Sequence, residues 1–333
     1  MSINNKILLF ADPHLGIKNG SELWHNTTIE LFKTIADECE KRSINTIICL
    51  GDWFHNRRAL SVKTIAAAVH ISDILEKFTT YIILGNHDTF YKFLLDPSSL
   101  DVYSQHKNII LIKEPYALGD IMMLPWGDYR EIGKYSQYKY IFGHFEINGF
   151  PMTKNYILSD ANRLNSDNFK GVENVISGHF HCPSHKGNIR YLGAPYQMTF
   201  IDSGGDRGYY IFEDGKIEFI NYTKAPKFIK INTEEEFTKE KISGNFIKLK
   251  YIKDYGKSEN DILIEKVQAF NPLTLSADFS NISEEKSNDI IEDVSIKSSK
   301  EIFFEYIDRI SNIPENLNKK TIKNIFNQLI EGE

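Results

Sequence analysis

The sequence has few cysteines, no long apolar run and no excess of positive charge, and each absence excludes a class of protein. Its three cysteines, Cys39, Cys49 and Cys182, are odd in number and form no CxxC pair, which argues against a disulfide framework or a thiolate zinc site. No apolar run approaches the roughly 18 residues of a membrane-spanning helix. The N-terminal run ILLFA ends at Asp12, as a first strand does, and does not resemble a secretory signal. We therefore expect a cytoplasmic protein with buried, reduced thiols.

Positive charge is in the minority: 39 lysines and arginines stand against 45 aspartates and glutamates, a net charge of −6. This balance gives no overall support for nucleic-acid binding, so an anionic substrate would have to be held by local charges. All ten histidines lie at or before His185, and we expect any imidazole chemistry in the first part of the chain.

Strand and helix patterns alternate from residue 6 to about 222. Short apolar runs predict buried strands at 7–11, 46–50, 81–84, 140–142 and 172–177. Amphipathic patterns predict helices at 22–42 and 61–77, the second with Ser61 as its N-cap. Further runs at 109–112, 121–124, 189–193, 208–213 and 216–222 have no helices between them. We expect these to form a second, more antiparallel sheet packed on the first.

The composition changes after Pro226, which suggests further modules. We divide the chain into a main α/β domain over 1–223, a small mixed α+β module over 224–280, a polar linker over 281–300 and amphipathic helices within 301–333. The stretch 224–257 has nine lysines against five acids, which favours a small module that faces DNA as a cap.

Five motifs place polar side chains directly after predicted strands. They are Asp12-Pro-His14, Gly51-Asp52, Gly85-Asn86-His87-Asp88, Gly143-His144 and Gly178-His179-Phe-His181. Loops at the carboxyl ends of strands gather along one edge of such a sheet, so we expect these motifs to meet. Their seven or eight candidate ligands are too many for one ion, and carboxylate, amide and imidazole together suit manganese, iron or zinc. A carboxylate can bridge two cations, and Asp52, central in the series, is the predicted bridge.

A glycine precedes a candidate ligand in four of the motifs, at Gly51, Gly85, Gly143 and Gly178. We expect a residue without Cβ to let the strand turn sharply there and to let the backbone approach the ion. Any one of these histidines, taken alone, would be read as an ordinary core or loop residue. The ordered set is what indicates a metal site.

This set resembles the calcineurin-like metallophosphoesterase superfamily, whose members have a four-layer αββα sandwich and a two-metal site. The run GDWFHNRR at 51–58 resembles the nuclease subunits of double-strand-break-repair complexes. The pair Pro125-Trp126, the run HFEINGF at 144–150 and the run IRYLGAP at 189–195 are most similar to the recombination endonuclease subunits of T-even-type phages. The motifs span residues 12 to 195, and the C-terminal third resembles the family only in layout.

The resemblance implies a role for each motif position. One ion would be held by Asp12, His14, Asp52 and His181, and the other by Asp52, Asn86, His144 and His179, with Mn²⁺ as the expected metal. His87 would face the substrate phosphate, Asp88 would orient or charge the His87 ring, and His55 would serve exonuclease action. Arg57, Arg58 and Arg130 are expected to contact DNA.

The predicted function is therefore that of a metal-dependent DNA exonuclease and single-strand endonuclease in recombination or repair. The resemblance also implies a homodimer and an SMC-like ATPase subunit bound by the C-terminal helices, since this chain lacks a GxxxxGK[ST] loop. If the protein is phage-encoded, it would work in the host cytoplasm. Two alternatives are a protein or small-molecule phosphatase of the same superfamily, which would usually have GNHE where this chain has Asp88, and a non-catalytic scaffold, which would have lost ligands.

Overall fold

A computed structural model of the chain describes residues 6–91, 94–127, 129, 132–153, 156–159 and 164–280, and beyond them only Ile307, Asn318, Lys319 and Thr321. Residues up to Phe279 cluster as one compact unit. The predicted linker at 281–300 lies outside the described residues, as does the segment 301–333 apart from those four positions. The proposed domain boundaries stay predictions.

The described residues form nineteen strands, five α-helices and three 3-10 helices. The strands are β1 Ile7–Phe10, β2 Thr46–Cys49, β3 Thr79–Ile83, β4 Thr89–Tyr91, β5 Leu94–Ser98, β6 Ile109–Ile112, β7 Tyr116–Leu118, β8 Ile121–Leu124, β9 Tyr140–His144, β10 Pro151–Thr153, β11 Tyr156–Ile157, β12 Asn174–Gly178, β13 Ser184–Lys186, β14 Ile189–Tyr191, β15 Gly208–Glu213, β16 Lys216–Asn221, β17 Phe228–Asn232, β18 Phe246–Lys250 and β19 Thr274–Asp278. The α-helices are α1 Ile17–Gly20, α2 Glu22–Arg42, α3 Val62–Ile74, α4 Lys239–Ile242 and α5 Gly256–Gln268. The 3-10 helices are Ser99–Tyr103, Ile132–Tyr135 and Ser166–Phe169.

Two six-stranded sheets of similar design form the main body. The first has the order β16-β15-β1-β2-β3-β6 and the second β13-β14-β12-β9-β8-β7. In the first sheet β1, β2, β3 and β6 run parallel, with the β15–β16 hairpin antiparallel beside β1. In the second sheet β14, β12, β9 and β8 run parallel between antiparallel edge strands.

The expectation of a more antiparallel second sheet is therefore wrong. The late runs divide between the two sheets: β6, β15 and β16 extend the first, and only β8 and β14 join the second. The physical reason is that strand pairing depends on contacts distant in sequence, so β15 can pair with β1 although some 200 residues separate them. The absence of helices between two predicted strands therefore does not show whether the strands are parallel or antiparallel.

Alternate side chains of each strand enter different cores. Ile7 and Leu9 of β1 enter the core between the two sheets, with Met123 and Phe142 of the second sheet. Leu8 and Phe10 enter the core on the other face. This alternation is the period-2 pattern of a strand that is covered on both sides.

The two long helices cover the outer face of the first sheet. Helix α2 buries Leu31, Phe32 and Ile35, and α3 buries Ala68 and Ile71 in the same core. The predicted N-cap of α3 is confirmed, since the Ser61 hydroxyl accepts a hydrogen bond from the amide of Thr64 at 3.1 Å.

The outer face of the second sheet has a separate core, to which Leu124, Val175 and Phe169 belong. Among the described residues this face is covered by 3-10 helices and loops rather than α-helices. Prolines and glycines recur through 125–171 and interrupt helix formation. The mixed α/β fold with two packed sheets is as expected for the superfamily.

The small module has three parallel strands in the order β17-β18-β19. The module also contains the short helix α4 and the longer helix α5, so it has the mixed α+β composition that the sequence predicts. The module packs on α2 through aromatic rings, because Trp24 stacks with Phe228 at 6.1 Å and with Phe246 at 5.9 Å between ring centroids. All three cysteines are buried free thiols, as expected. Among the described residues no helix is both long enough and apolar enough to cross a bilayer.

Candidate metal centre

Loops at the carboxyl ends of β1, β2, β3, β9 and β12 place all seven predicted ligands near one another. The loops hold each other through backbone hydrogen bonds, from the Asp12 amide to the Gly51 carbonyl at 3.0 Å and from the His14 amide to the Asp52 carbonyl at 3.1 Å. Both sheets contribute, because β1, β2 and β3 belong to the first and β9 and β12 to the second.

Four of the predicted ligands have left-handed backbone conformations, which residues other than glycine rarely adopt. The φ angles are 54° at Asp12, 45° at His14, 53° at Asp52 and 87° at His179. Such conformations cost of order 1–3 kcal/mol each and persist where the surroundings impose them, typically at functional sites. Their concentration here marks this edge of the sheets as the candidate site.

The first cluster consists of Asp12, His14 and His181, whose candidate ligand atoms all lie within 4.8 Å of one another. The Nε2 atoms of His14 and His181 are 3.0 Å apart. Asp52 adds a fourth group, with its Oδ2 atom 3.7 Å from His14 Nε2.

The second cluster consists of Asp52, His144 and His179, again within 4.8 Å, together with Asn86. The Asn86 Oδ1 atom is 3.0 Å from His144 Nε2 and 2.9 Å from His179 Nδ1. Asp52 Oδ1 is 3.4 Å from His144 Nε2. One oxygen of Asp52 thus faces each cluster, which is the arrangement expected of a bridging carboxylate.

The donor atoms of both clusters fit cations. The His144 Nδ1–H group donates to the Leu50 carbonyl at 2.8 Å, so its Nε2 lone pair points toward the oxygens of Asn86 and Asp52. Lone pairs that converge in this way repel unless a proton or a cation lies between them. In the described part of the chain no lysine or arginine pairs with Asp12 or Asp52, which are both buried. A carboxylate, amide and imidazole set of this kind suits borderline divalent ions.

Burial controls the protonation of these groups in the metal-free protein. Burial, opposed by His144, raises the pKa of Asp12 to about 8. Burial also disfavours the charge of His144, but Asp52 outweighs it and raises the pKa of that imidazole to about 9. The pKa of Asp52 is held well below its ordinary value because His144 overcomes the cost of burial. Burial lowers the pKa of His14 and of His179. Near neutral pH the metal-free site therefore combines neutral imidazoles at His14 and His179 with a protonated His144 and an ionised Asp52.

The motif glycines make room rather than sharp turns. Of the four, Gly51 has a positive φ, at 98°. A Cβ at Gly51 would overlap the His144 ring, and one at Gly85 would overlap the Asp52 carboxylate. The sharp turns occur mainly at the ligands themselves, so the sharp turn expected at the glycines is wrong at Gly85, Gly143 and Gly178, while the expected approach of the backbone to an ion stays a prediction.

His87 and His55 lie beside the first cluster. The two rings stack at 5.6 Å between centroids, and the His87 ring lies 4.9 Å from that of His14. Two contacts orient His87. Its backbone amide donates to Asp52 Oδ1 at 2.8 Å, and its Nδ1 atom lies 2.8 Å from the His55 carbonyl oxygen. Both side chains are partly exposed, as groups that meet a substrate must be.

Asp88 does not orient His87, and the role assigned to it from the sequence needs correction. Its buried carboxylate accepts hydrogen bonds from three backbone amides, those of Gly85 at 2.9 Å, Phe54 at 3.1 Å and Trp53 at 3.3 Å. The side chain therefore points into the protein and joins two motif loops. Neighbours in a tight turn face different directions, which the motif alone does not reveal.

The expected DNA contacts are only partly described. Arg57 is partly exposed and Arg58 exposed, just after His55, while Arg130 lies outside the described residues. Trp53 is fully buried, and Trp126 is 7% exposed and packs on the rings of His144 and His179. Both tryptophans therefore serve packing.

Three residues behind the ligands were missed by sequence reasoning. Glu146 Oε1 lies 3.2 Å from His179 Nε2. Asp202 Oδ1 lies 3.8 Å from His181 Nδ1, and the buried Arg207 guanidinium donates to the backbone carbonyl of His181. Only Glu146 had a local signal, an acid two residues after His144 in the run HFEINGF.

We predict that the metal-free protein loses stability as the pH rises from about 7 to about 8.5. The pKa values of Asp12 and His144 are raised in the folded state, to about 8 and about 9. Such groups stabilise the fold fully below their unfolded pKa values, and that contribution disappears as the pH rises through the folded values. Mn²⁺ should suppress the loss, because it binds the deprotonated groups.

Thermal unfolding with chelator and with Mn²⁺ across this range measures the effect. Asp12→Asn is the control and should flatten the metal-free slope. A melting temperature of the metal-free protein that stayed constant or rose over this range would contradict the prediction.

Comparison with known proteins agrees with the geometry. Residues 5–220 match the sequence family described as calcineurin-like phosphoesterase. The chain is similar to exonuclease subunit 1 of Enterobacteria phage T4, at 31% identity over 93% of this chain and 94% of that protein. Among solved structures it is similar to a Pseudomonas putida nuclease, at 19% identity, 64% of this chain, 87% of the other and a TM-score of 0.32. It is also similar to a Danio rerio dimetal phosphatase, at 12% identity, 62% of this chain, 92% of the other and a TM-score of 0.38. The family match and the phage relative show that this chain belongs to the calcineurin-like phosphoesterase family.

Proposed function

We propose that this protein is a DNA nuclease, an exonuclease and single-strand endonuclease that hydrolyses phosphodiester bonds with two divalent cations, Mn²⁺ being the first choice. The observation that supports this most directly is the central position of Asp52, with one oxygen toward His14 of the first cluster and the other toward His144 of the second. The similar phage protein is named an exonuclease subunit, which favours a nucleic acid over other phosphoesters.

Bound at these clusters, two cations would lower the pKa of a shared water and offset the charge on the phosphate. One cation would be held by Asp12, His14 and His181. The other cation would be held by Asn86, His144 and His179. Asp52 would bridge the two cations. The residues of the chain then have defined tasks. The His55 carbonyl would fix the Nδ1–H tautomer of His87, which leaves Nε2 to meet the substrate. Protonated at Nε2, His87 would donate to the phosphate or to the leaving 3′ oxygen.

His55 and the two arginines that follow it would guide the DNA backbone. The His55 ring stacks on that of His87, so it reaches the same phosphate or the next one. The Arg58 amide donates to the Asn56 side chain at 2.9 Å, which shapes the turn that carries Arg57 and Arg58. Contacts of this kind position the backbone without reading sequence. Arg130 remains a proposal from the sequence alone.

The C-terminal segment 301–333 is proposed to bind an SMC-like ATPase subunit, which would supply the ATP hydrolysis. The support is its amphipathic sequence pattern and the printed name of the phage relative, a subunit. Through such a partner the nuclease would act in recombination or repair.

An exposed apolar stripe on α3 supports a homodimer. Val62, Ile65 and Val69 are 83%, 40% and 55% exposed and fall on one face of the helix at i, i+3 and i+7. The opposite face is buried in the main core. A twofold axis would bring the same stripe from two copies together, because such an interface is self-complementary.

We predict that His87→Ala slows manganese-dependent cleavage of linear duplex and circular single-stranded DNA by about 10²- to 10⁴-fold while Mn²⁺ binding is retained, since a proton donor is lost and no ligand. Asp52→Asn should lose both cleavage and binding. Nuclease rates and calorimetric Mn²⁺ titration check the two variants.

The matched control is His185→Ala on an exposed edge strand, which should cleave like wild type. If both site variants cleaved at the wild-type rate, the site assignment would be wrong. Hydrolysis of phosphopeptide or p-nitrophenyl phosphate without DNA cleavage would favour a phosphatase.

We predict that Ile65→Asp converts a dimer to a monomer, because it places a charge in the centre of the apolar stripe. Light scattering after size exclusion measures the mass. Ile262→Asp on α5, a position that is 48% exposed, is the control and should leave the mass unchanged. A wild-type monomer at working concentrations would refute the dimer.

We predict that deletion of 300–333 abolishes co-purification with the ATPase partner, because the amphipathic helices would be removed. Manganese-dependent cleavage by the truncated protein should persist, since the two clusters lie upstream. Pull-down from co-expressing cells measures the first effect and a nuclease assay the second. Retained co-purification would show that the partner binds elsewhere.

A further inference from the structure

We propose that Glu146 is a positioning residue that sets the tautomer and orientation of His179 and so strengthens the second cluster. This inference rests on the proposed two-metal function and deepens it. Glu146 lies on the Nε2 side of the His179 ring, whereas Asn86 of the second cluster lies on the Nδ1 side.

The contacts of the His179 ring define its tautomer. Its Nε2 atom lies 3.2 Å from Glu146 Oε1, and its Nδ1 atom lies 2.9 Å from Asn86 Oδ1. A carboxylate can only accept, so the Nε2 atom is the N–H donor. The Nδ1 lone pair then faces the other candidate ligands. A carboxylate behind a ligating imidazole fixes its tautomer and raises its basicity.

The backbone on both sides of Glu146 is fixed. The Phe145 amide donates to Ser177 Oγ at 2.9 Å, and the buried Tyr191 hydroxyl lies 3.0 Å from the Phe145 carbonyl. The Ile147 amide donates to the same hydroxyl at 3.1 Å. The side chain of Glu146 is only 20% exposed. A carboxylate on so rigid a loop can hold the imidazole in one orientation.

The other candidate imidazoles lack an equivalent contact. Asp202 is 3.8 Å from His181 Nδ1, which is too long for a hydrogen bond, and its other oxygen accepts from the Met198 and Thr199 amides. His144 uses the Leu50 carbonyl. Among the described ligands, His179 alone is backed by a carboxylate at hydrogen-bonding distance. Removal of the Glu146 side chain should therefore weaken the binding of one ion and leave the binding of the other unchanged.

The test compares three substitutions of Glu146 by calorimetric Mn²⁺ titration of chelator-treated protein and by electron paramagnetic resonance of the bound ions. Glu146→Ala removes the contact, and Glu146→Asp keeps the charge but withdraws the oxygen by one methylene. Both should weaken one of the two Mn²⁺ sites by about 10- to 100-fold, the range found for partners of metal ligands. Glu146→Gln can still accept from Nε2–H but loses the negative charge, so its Mn²⁺ affinity should lie between those of wild type and Ala.

The spectrum separates a local effect from a general one. Wild type should show a spin-coupled Mn²⁺ pair, whereas the Ala and Asp variants at limiting Mn²⁺ should show an isolated ion. Glu76→Ala, which removes an exposed glutamate elsewhere, should keep the coupled pair.

Three results would overturn the proposal: wild-type binding in the Ala and Asp variants, equal weakening of both ions, or a Gln variant as weak as Ala. None of these measurements involves DNA. A failure of the nuclease proposal would appear separately, as wild-type protein that binds two ions and cuts no DNA.

Discussion

The site depends on the burial of two carboxylates, Asp12 and Asp52, that have no lysine or arginine partner in the described part of the chain. Carboxylates in such surroundings are costly unless cations compensate them, and His144 compensates only in part. The parallel direction of the central strands is what gathers the compensating ligands. Parallel strands end at the same edge, so loops that are as much as 169 positions apart in sequence, at Asp12 and His181, deliver their side chains to a single place. An antiparallel arrangement of the same strands would have sent half of the ligands to the opposite edge.

Residues near this pocket divide into groups that face the ions and groups that hold the loops. Asp88 belongs to the second kind, since its carboxylate accepts three backbone amides from two motif loops. Those loops carry Asp52 and Asn86, and Asp52 itself is held in a left-handed conformation. A conformation of that kind persists only when the surroundings impose it. The hydrogen bonds that Asp88 accepts from these loops therefore help to stabilise the strained backbone conformation of Asp52.

Local patterns predicted the elements that local patterns specify. The strands β1, β2 and β3, the helix α2 and the cap Ser61 follow from periodicity and cap chemistry, and the motif order predicted which side chains would meet. Pairings between distant segments did not follow, and β15 was assigned to the wrong sheet for that reason. The direction of a side chain within a tight turn could not be predicted from the sequence either. Asp88 follows His87 directly, yet its carboxylate points inward to the backbone amides of two motif loops. Glu146 was overlooked because its partner His179 is 33 residues away.

The two clusters differ in charge, and this difference gives Glu146 its importance. Each would share Asp52, but the first also has Asp12, whereas the second has the neutral Asn86 in the corresponding place. Glu146 supplies a negative charge to the second cluster, but it lies on the far side of the His179 ring and would not touch the ion. An anionic acceptor on Nε2 makes the Nδ1 lone pair of His179 a stronger donor, so the neutral ring carries part of that charge to the ion. Each cation would then have one carboxylate of its own, held directly by Asp12 and indirectly by Glu146.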